Sequence, residues 1–74
     1  MEKTLREIVA KIAETKSDFA VDASLRDDLR VDSVRALEIM FEIEGTFSIK
    51  VPEGRYGELR TFADLMALVA SLKG

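Results

Sequence analysis

Leu29-Arg30-Val31-Asp32-Ser33-Val34 is the stretch at which a long polar loop gives way to an apolar helix running to about Phe47. Asp32 is a good N-cap: its carboxylate can accept from backbone N–H groups that the first helical turn leaves without partners. Ser33 then falls in that first turn, facing the same N–H groups and the positive end of the helix dipole. A phosphate esterified to its hydroxyl is favoured there, so Ser33 is a candidate attachment point. Taken alone, Asp-Ser before a helix is also ordinary capping chemistry, and the two residues by themselves favour that structural reading.

The helix that follows has more apolar residues than one stripe can hold. At about 100° per residue, Ile39, Met40, Ile43 and Phe47 share one face, while Val34, Leu37 and Phe41 form a second stripe leading away from Ser33. A helix apolar on two faces is either deeply buried or offers the extra face to a ligand or partner. Leu37 and Phe41 are core residues by default, and the excess of apolar positions brings a recognition role level with that default.

Outward from this helix the chain reads as three further segments. Leu5, Ile8, Val9 and Ile12 recur at helical spacing, with Lys3, Arg6, Glu7, Lys11 and Glu14 on the other side. Thr4-x-x-Glu7 has the form of a capping box, and a start between Met1 and Lys3 is the alternative. From about Lys16 to Asp32 the periodicity vanishes, but Phe19, Val21, Leu25, Leu29 and Val31 are expected to anchor the loop, with Ser24-x-x-Asp27 capping one turn inside it. Pro52, Gly54 and Gly57 permit only a short or irregular third helix. Thr61-x-x-Asp64 is a second capping box, opening a last helix with Phe62, Leu65, Met66, Val69 and Leu72 on one face.

At 74 residues the chain is expected to be a single domain, residues 1–74, with a small core and modest stability. It has no cysteine and no histidine, which removes disulfides and the usual zinc sites, and a reducing, cytoplasmic setting is expected. No apolar stretch reaches the roughly 18–20 residues that cross a bilayer, so no membrane insertion is expected. A net charge of −3 argues against nucleic acid as a partner. Asp27, Asp28 and Asp32 lack the alternating spacing of a calcium loop, and no metal site is expected. A hydrolase centred on Ser33 lacks its histidine base and its Gly-x-Ser-x-Gly elbow, and no glycine-rich phosphate loop occurs.

Three main helices, a long first loop and a short third segment form a layout that resembles the acyl carrier proteins. Asp32-Ser33-Val34 is similar to that family's Asp-Ser-Leu attachment motif, with Val34 in place of leucine. Leu29, Glu38, Phe47 and Val51-Pro52 also sit at the family's spacing. The resemblance implies an all-α, four-helix bundle that is not itself an enzyme. It further implies that Ser33 bears a 4′-phosphopantetheine arm, taken from coenzyme A by a phosphopantetheinyl transferase, whose thiol carries acyl groups between acyl-loading and acyl-processing enzymes. Such carriers shelter acyl chains between the second and third helices, where Gly54 and Gly57 give room to open. A monomer is expected.

On this resemblance Val34, Arg35, Leu37, Glu38 and Phe41 form the surface that partners read. Two departures carry expectations of their own. Arg30 and Val31 stand where the family commonly has glycine, so the loop before Ser33 is expected to be shaped differently. Arg35, with Arg26 and Arg30, interrupts an acidic surface of which Glu38, Glu42 and Glu44 remain, and this points to a specialised fatty-acid, lipid or polyketide pathway. The bland alternative leaves the three arginines solvated or paired with Asp27, Asp28 and Asp32. The competing functions are a carrier-like interaction module that is never modified, and a peptidyl or D-alanyl carrier.

Overall fold

The computed structural model describes residues 1–73, leaving only Gly74 outside the described residues. Its elements are α1 (Glu2–Ala13), α2 (Ser33–Phe47), a 3-10 helix (Glu53–Glu58) and α3 (Phe62–Lys73). No helix among the described residues is long and apolar enough to cross a membrane.

Helix α1 buries Leu5, Ile8 and Val9, as their spacing requires, with Ile12 half-buried at the edge. The Thr4 box does not form. The helix already begins at Glu2, where the Leu5 N–H donates to the Met1 carbonyl at 3.0 Å, and Glu2 supplies the negative charge that suits a first turn. Glu2 also accepts from Arg6 Nε at 2.8 Å, one turn on.

The connection over residues 14–32 is held by its backbone as much as by apolar anchors. Leu25 N–H donates to the Arg60 carbonyl at 2.9 Å, Phe62 N–H to the Ala23 carbonyl at 3.1 Å and Ala63 N–H to the Val21 carbonyl at 2.8 Å. These bonds stitch the loop to the start of α3. Arg6 closes the other side, donating from Nη1 to the carbonyls of Ser17 and Phe19. Its guanidinium lies 4.9 Å from the Phe19 ring centre and 5.1 Å from that of Phe62, and the two rings meet edge to face. Leu25, Leu29 and Val31 are buried as expected and Phe19 is half-buried, but Val21 is 42% exposed. Val21 contributes its carbonyl to the seam and turns its side chain outward; Ala23 is the buried residue in its place.

The capping expectations for α2 and α3 hold. Asp32 Oδ1 accepts from Arg35 N–H at 2.9 Å to open α2. At α3, Asp64 Oδ2 accepts from Thr61 N–H at 3.0 Å, while Thr61 Oγ1 accepts from Asp64 N–H at 3.2 Å. The buried side of α3 is Phe62, Leu65, Leu68 and Val69. Leu68 was not on the expected stripe but is buried, and Met66 and Leu72 sit half-buried at its edge. Gly54 and Gly57 have no left-handed backbone; with Pro52 they act by weakening α-helix propensity, and a 3-10 helix results.

The core joins all of these. Leu5 and Val9 of α1, Ile43 of α2 and Phe62, Leu65 and Val69 of α3 are fully enclosed, and Leu25, Leu29, Val31 and Val51 close the gaps from the connections. Glu44 holds the exit from α2, accepting Val51 N–H on its carboxylate at 2.8 Å.

Candidate functional site

Ser33 is the first residue of α2, and it is exposed. Asp32 before it is extended, at φ −85° and ψ −175°, which lets its side chain turn back over the first helical turn. The segment leading in is held by hydrogen bonds within its own turn. Ser24 Oγ accepts from Asp27 N–H at 3.0 Å, and Asp28 Oδ2 accepts from Ser24 N–H at 2.8 Å, so the reciprocal carboxylate is that of Asp28, not Asp27 as the spacing suggested. The chain tightens here into a turn whose Asp28 and Leu29 N–H groups both reach the Ser24 carbonyl, and this displaces the cap by one residue.

Arg30 has φ 57°, in the left-handed region that glycine occupies freely and other residues occupy at a cost. The backbone takes a glycine-type conformation with an arginine in it, and the Val31 N–H bond to the Leu25 carbonyl at 2.8 Å and the buried Leu29 and Val31 side chains hold the turn on both sides.

Beside Ser33 opens a cleft of about 640 Å³. Its deeper wall is apolar, built from Leu25, Val31, Ile39, Met40, Leu59 and Leu65, with Tyr56 from the 3-10 helix. Arg26, Asp27, Arg30 and Asp32 line it from the loop. Tyr56 and Leu59 were missed by sequence reasoning: nothing in a short glycine-containing segment marks it as a wall until it folds against α2. The lone tyrosine of the chain was the available signal.

The second stripe of α2 faces solvent: Val34 is 65% exposed, Leu37 46% and Phe41 69%. That excludes the core reading for Leu37 and Phe41. Ile39, Met40 and Ile43 are buried on the opposite face as expected, with Phe47 half-buried. Glu38 is exposed beside the stripe.

Arg35 does not pair with the neighbouring aspartates. Its Nη2 meets Glu14 Oε2 of the α1 C-terminus at 3.0 Å, and Lys11 Nζ lies 3.6 Å from Glu42 Oε2 along the same seam. Arg26 and Arg30 are exposed and make no ion pair among the described residues. Among the described residues no cluster of acidic side chains is arranged to hold a metal. The Ser33 hydroxyl has no hydrogen bond to any described side chain that would act as its base.

Residues 3–69 match the family model of the phosphopantetheine attachment site. The chain is 32% identical over 81 residues to an acyl carrier protein of Rhodococcus erythropolis, an alignment covering 99% of the chain and 89% of that relative. It is 37% identical over 68 residues to an acyl carrier protein of Streptomyces coelicolor, covering 89% of the chain and 74% of the relative. A meromycolate extension acyl carrier protein of Mycobacterium tuberculosis is 32% identical over 81 residues, covering 99% of the chain and 70% of the relative.

Proposed function

Since this chain belongs to the acyl carrier proteins, a family built around a covalently attached 4′-phosphopantetheine, we propose that Ser33 is the residue to which the group is joined. The observation that carries the assignment is the position of its hydroxyl: exposed, in the first turn of α2, on the rim of an apolar cleft. The residues present suit the group. A phosphodiester on Ser33 Oγ keeps one negative charge beside the unpaired N–H groups of the helix start, and nothing buried has to move to admit it. Once attached, the group supplies a terminal thiol that carries acyl chains as thioesters.

The chain's own contribution is binding and placement. Ser33 Oγ is the nucleophile in its own modification, and the base comes with the transferase, because the hydroxyl has no hydrogen bond to a side chain among the described residues. Asp32 fixes the turn that presents it. Val34, Leu37 and Phe41 span about 10 Å along α2 and form the apolar centre of a docking face for the transferase and for acyl-loading and acyl-processing enzymes. Arg35 and Glu38 flank that face and set which enzymes it accepts. The cleft between α2 and the 3-10 helix receives part of the acyl chain.

Arg35 supports a further reading: a carrier for a specialised fatty-acid, lipid or polyketide pathway in the cytoplasm, working as a monomer within a single domain. The general carrier function rests on the family, the specialised one on this charge. Incubating the apo protein with coenzyme A and a broad-specificity phosphopantetheinyl transferase tests the attachment, with intact mass measured for wild type and Ser33→Ala. A gain of one phosphopantetheine in wild type alone is expected. A gain in Ser33→Ala would move the site elsewhere, and no gain with several transferases would favour an unmodified interaction module.

A further inference from the structure

Two cations on the rim of the cleft are unaccounted for by anything above. Arg26 and Arg30 line the same cavity as Ser33, both are exposed, and neither has an ion pair among the described residues. Three aspartates lie within the same few residues, yet two are committed to backbone donors: Asp32 to the Arg35 N–H at 2.9 Å and Asp28 to the Ser24 N–H at 2.8 Å. Asp27, which also lines the cleft, accepts no hydrogen bond on its carboxylate among the described residues and is the aspartate freest to compete.

We infer that Arg26 and Arg30 clamp the phosphodiester of the attached arm at the mouth of the cleft and turn the arm inward along its apolar wall. This rests on Ser33 being the attachment point. Guanidinium groups are suited to the task, since their planar fork matches the oxygens of a phosphate ester. Attachment supplies what a weak surface contact ordinarily lacks. A group joined to Ser33 is present at an effective concentration on the order of millimolar, so contacts too feeble to recruit a free ligand become populated.

The apolar wall completes the arrangement. Leu25, Ile39, Met40, Leu59 and Tyr56 stand behind the two cations, so an arm anchored at its phosphate has an apolar surface to lie on. Arg30 reaches this rim from a backbone conformation in which glycine carries no penalty, and a side chain held there at a conformational cost is consistent with the side chain having a use.

Unfolding midpoints of apo and holo protein test the inference, with intact mass confirming the arm in every holo sample. In wild type the holo form is expected to melt about 2–4 °C above the apo form at low salt, the size of a weak charge contact in a domain this small. At ~0.5 M salt most of that difference should vanish. Arg26→Gln/Arg30→Gln should lose at least half of the holo-minus-apo difference, and Asp27→Asn should enlarge it. Arg30→Gly separates the clamp from simple destabilisation: relieved of the left-handed strain, its apo form should melt no lower than wild type, while the holo increment falls. An increment unchanged in the double variant, with the arm present by mass, would overturn the clamp and leave the attachment reading standing. Failure of any wild-type sample to take up the arm would instead overturn the attachment reading and this inference together.

Discussion

A carboxylate that caps a helix stabilises it through N–H groups that would otherwise be unpaired, and this chain relies on that contact twice. Asp32→Ala removes the acceptor at the start of α2 and should lower stability by about 1 kcal/mol, a fall in unfolding midpoint of about 4–8 °C. The same variant should slow transferase turnover, because the first turn that presents Ser33 loosens with its cap. The Asp64 carboxylate accepts two such contacts, from Arg60 N–H and Thr61 N–H, and the Asp64 backbone N–H in turn donates to Thr61 Oγ1. The backbone N–H of Thr61 first, and that of Arg60 next, hold its carboxyl below the ordinary value of 3.8. A carboxyl with a lowered folded pKa contributes stability that is present above its unfolded pKa and lost as the pH falls through the folded one. Asp64→Asn should therefore melt below wild type at neutral pH, with the gap closing as acid titration proceeds below 3.8. A gap that stays constant into acid would show that the carboxylate's charge contributes nothing.

At the scale of elements, the long loop keeps its course because one arginine and one short backbone seam hold it. Arg6 joins α1 to the carbonyls of Ser17 and Phe19 and lies against the rings of both Phe19 and Phe62. Arg6→Ala should cost about 2 kcal/mol and raise hydrogen exchange at the Ala23 to Leu29 amides ahead of those in α2. Helices α1 and α2 are joined differently, by the exposed pairs Arg35–Glu14 and Lys11–Glu42. Pairs of this kind contribute about 0–1 kcal/mol. Arg35→Glu should accordingly leave the domain folded while changing enzyme partnering. The swap Arg35→Glu/Glu14→Arg separates the two roles, since it restores the pair without restoring the charge beside Ser33. Turnover with native partners that recovers in the swap would assign Arg35 to the helix seam alone.

For the molecule as a whole, a small core leaves little margin between tolerated and fatal changes. Ile43 is fully enclosed among all three long helices, and Ile43→Ala should cost about 2–5 kcal/mol, much of what a domain of this size has. Phe41, two residues before Ile43 and so on the opposite side of α2, is 69% exposed and should behave in the opposite way. Phe41→Ser is expected to leave the unfolding midpoint within a few degrees of wild type, and to lower the transferase's kcat/KM by tenfold or more, as loss of an interface aromatic does. A folded Phe41→Ser protein modified at the wild-type rate would remove Phe41 from the docking face.

The amino-acid sequence by itself determined the helices, the caps of α2 and α3 and the buried faces of α1 and α2, because these depend on contacts between residues three or four apart. Asp32 and Thr61-x-x-Asp64 were readable for that reason, and so was the split of α2 into a buried face at Ile39, Met40 and Ile43 and a second stripe at Val34, Leu37 and Phe41. Ser33 stood out through its neighbours and its place in the order of helices. What only the tertiary structure decided involves partners distant along the chain. Glu14 is the partner of Arg35, Val21 faces outward while Ala23 is buried, Leu68 joins the core, and Tyr56 and Leu59 wall the cleft beside Ser33. Local spacing sets which side of a helix is apolar; the packing of one element on another sets which apolar side is covered, and what is left open next to the reactive hydroxyl.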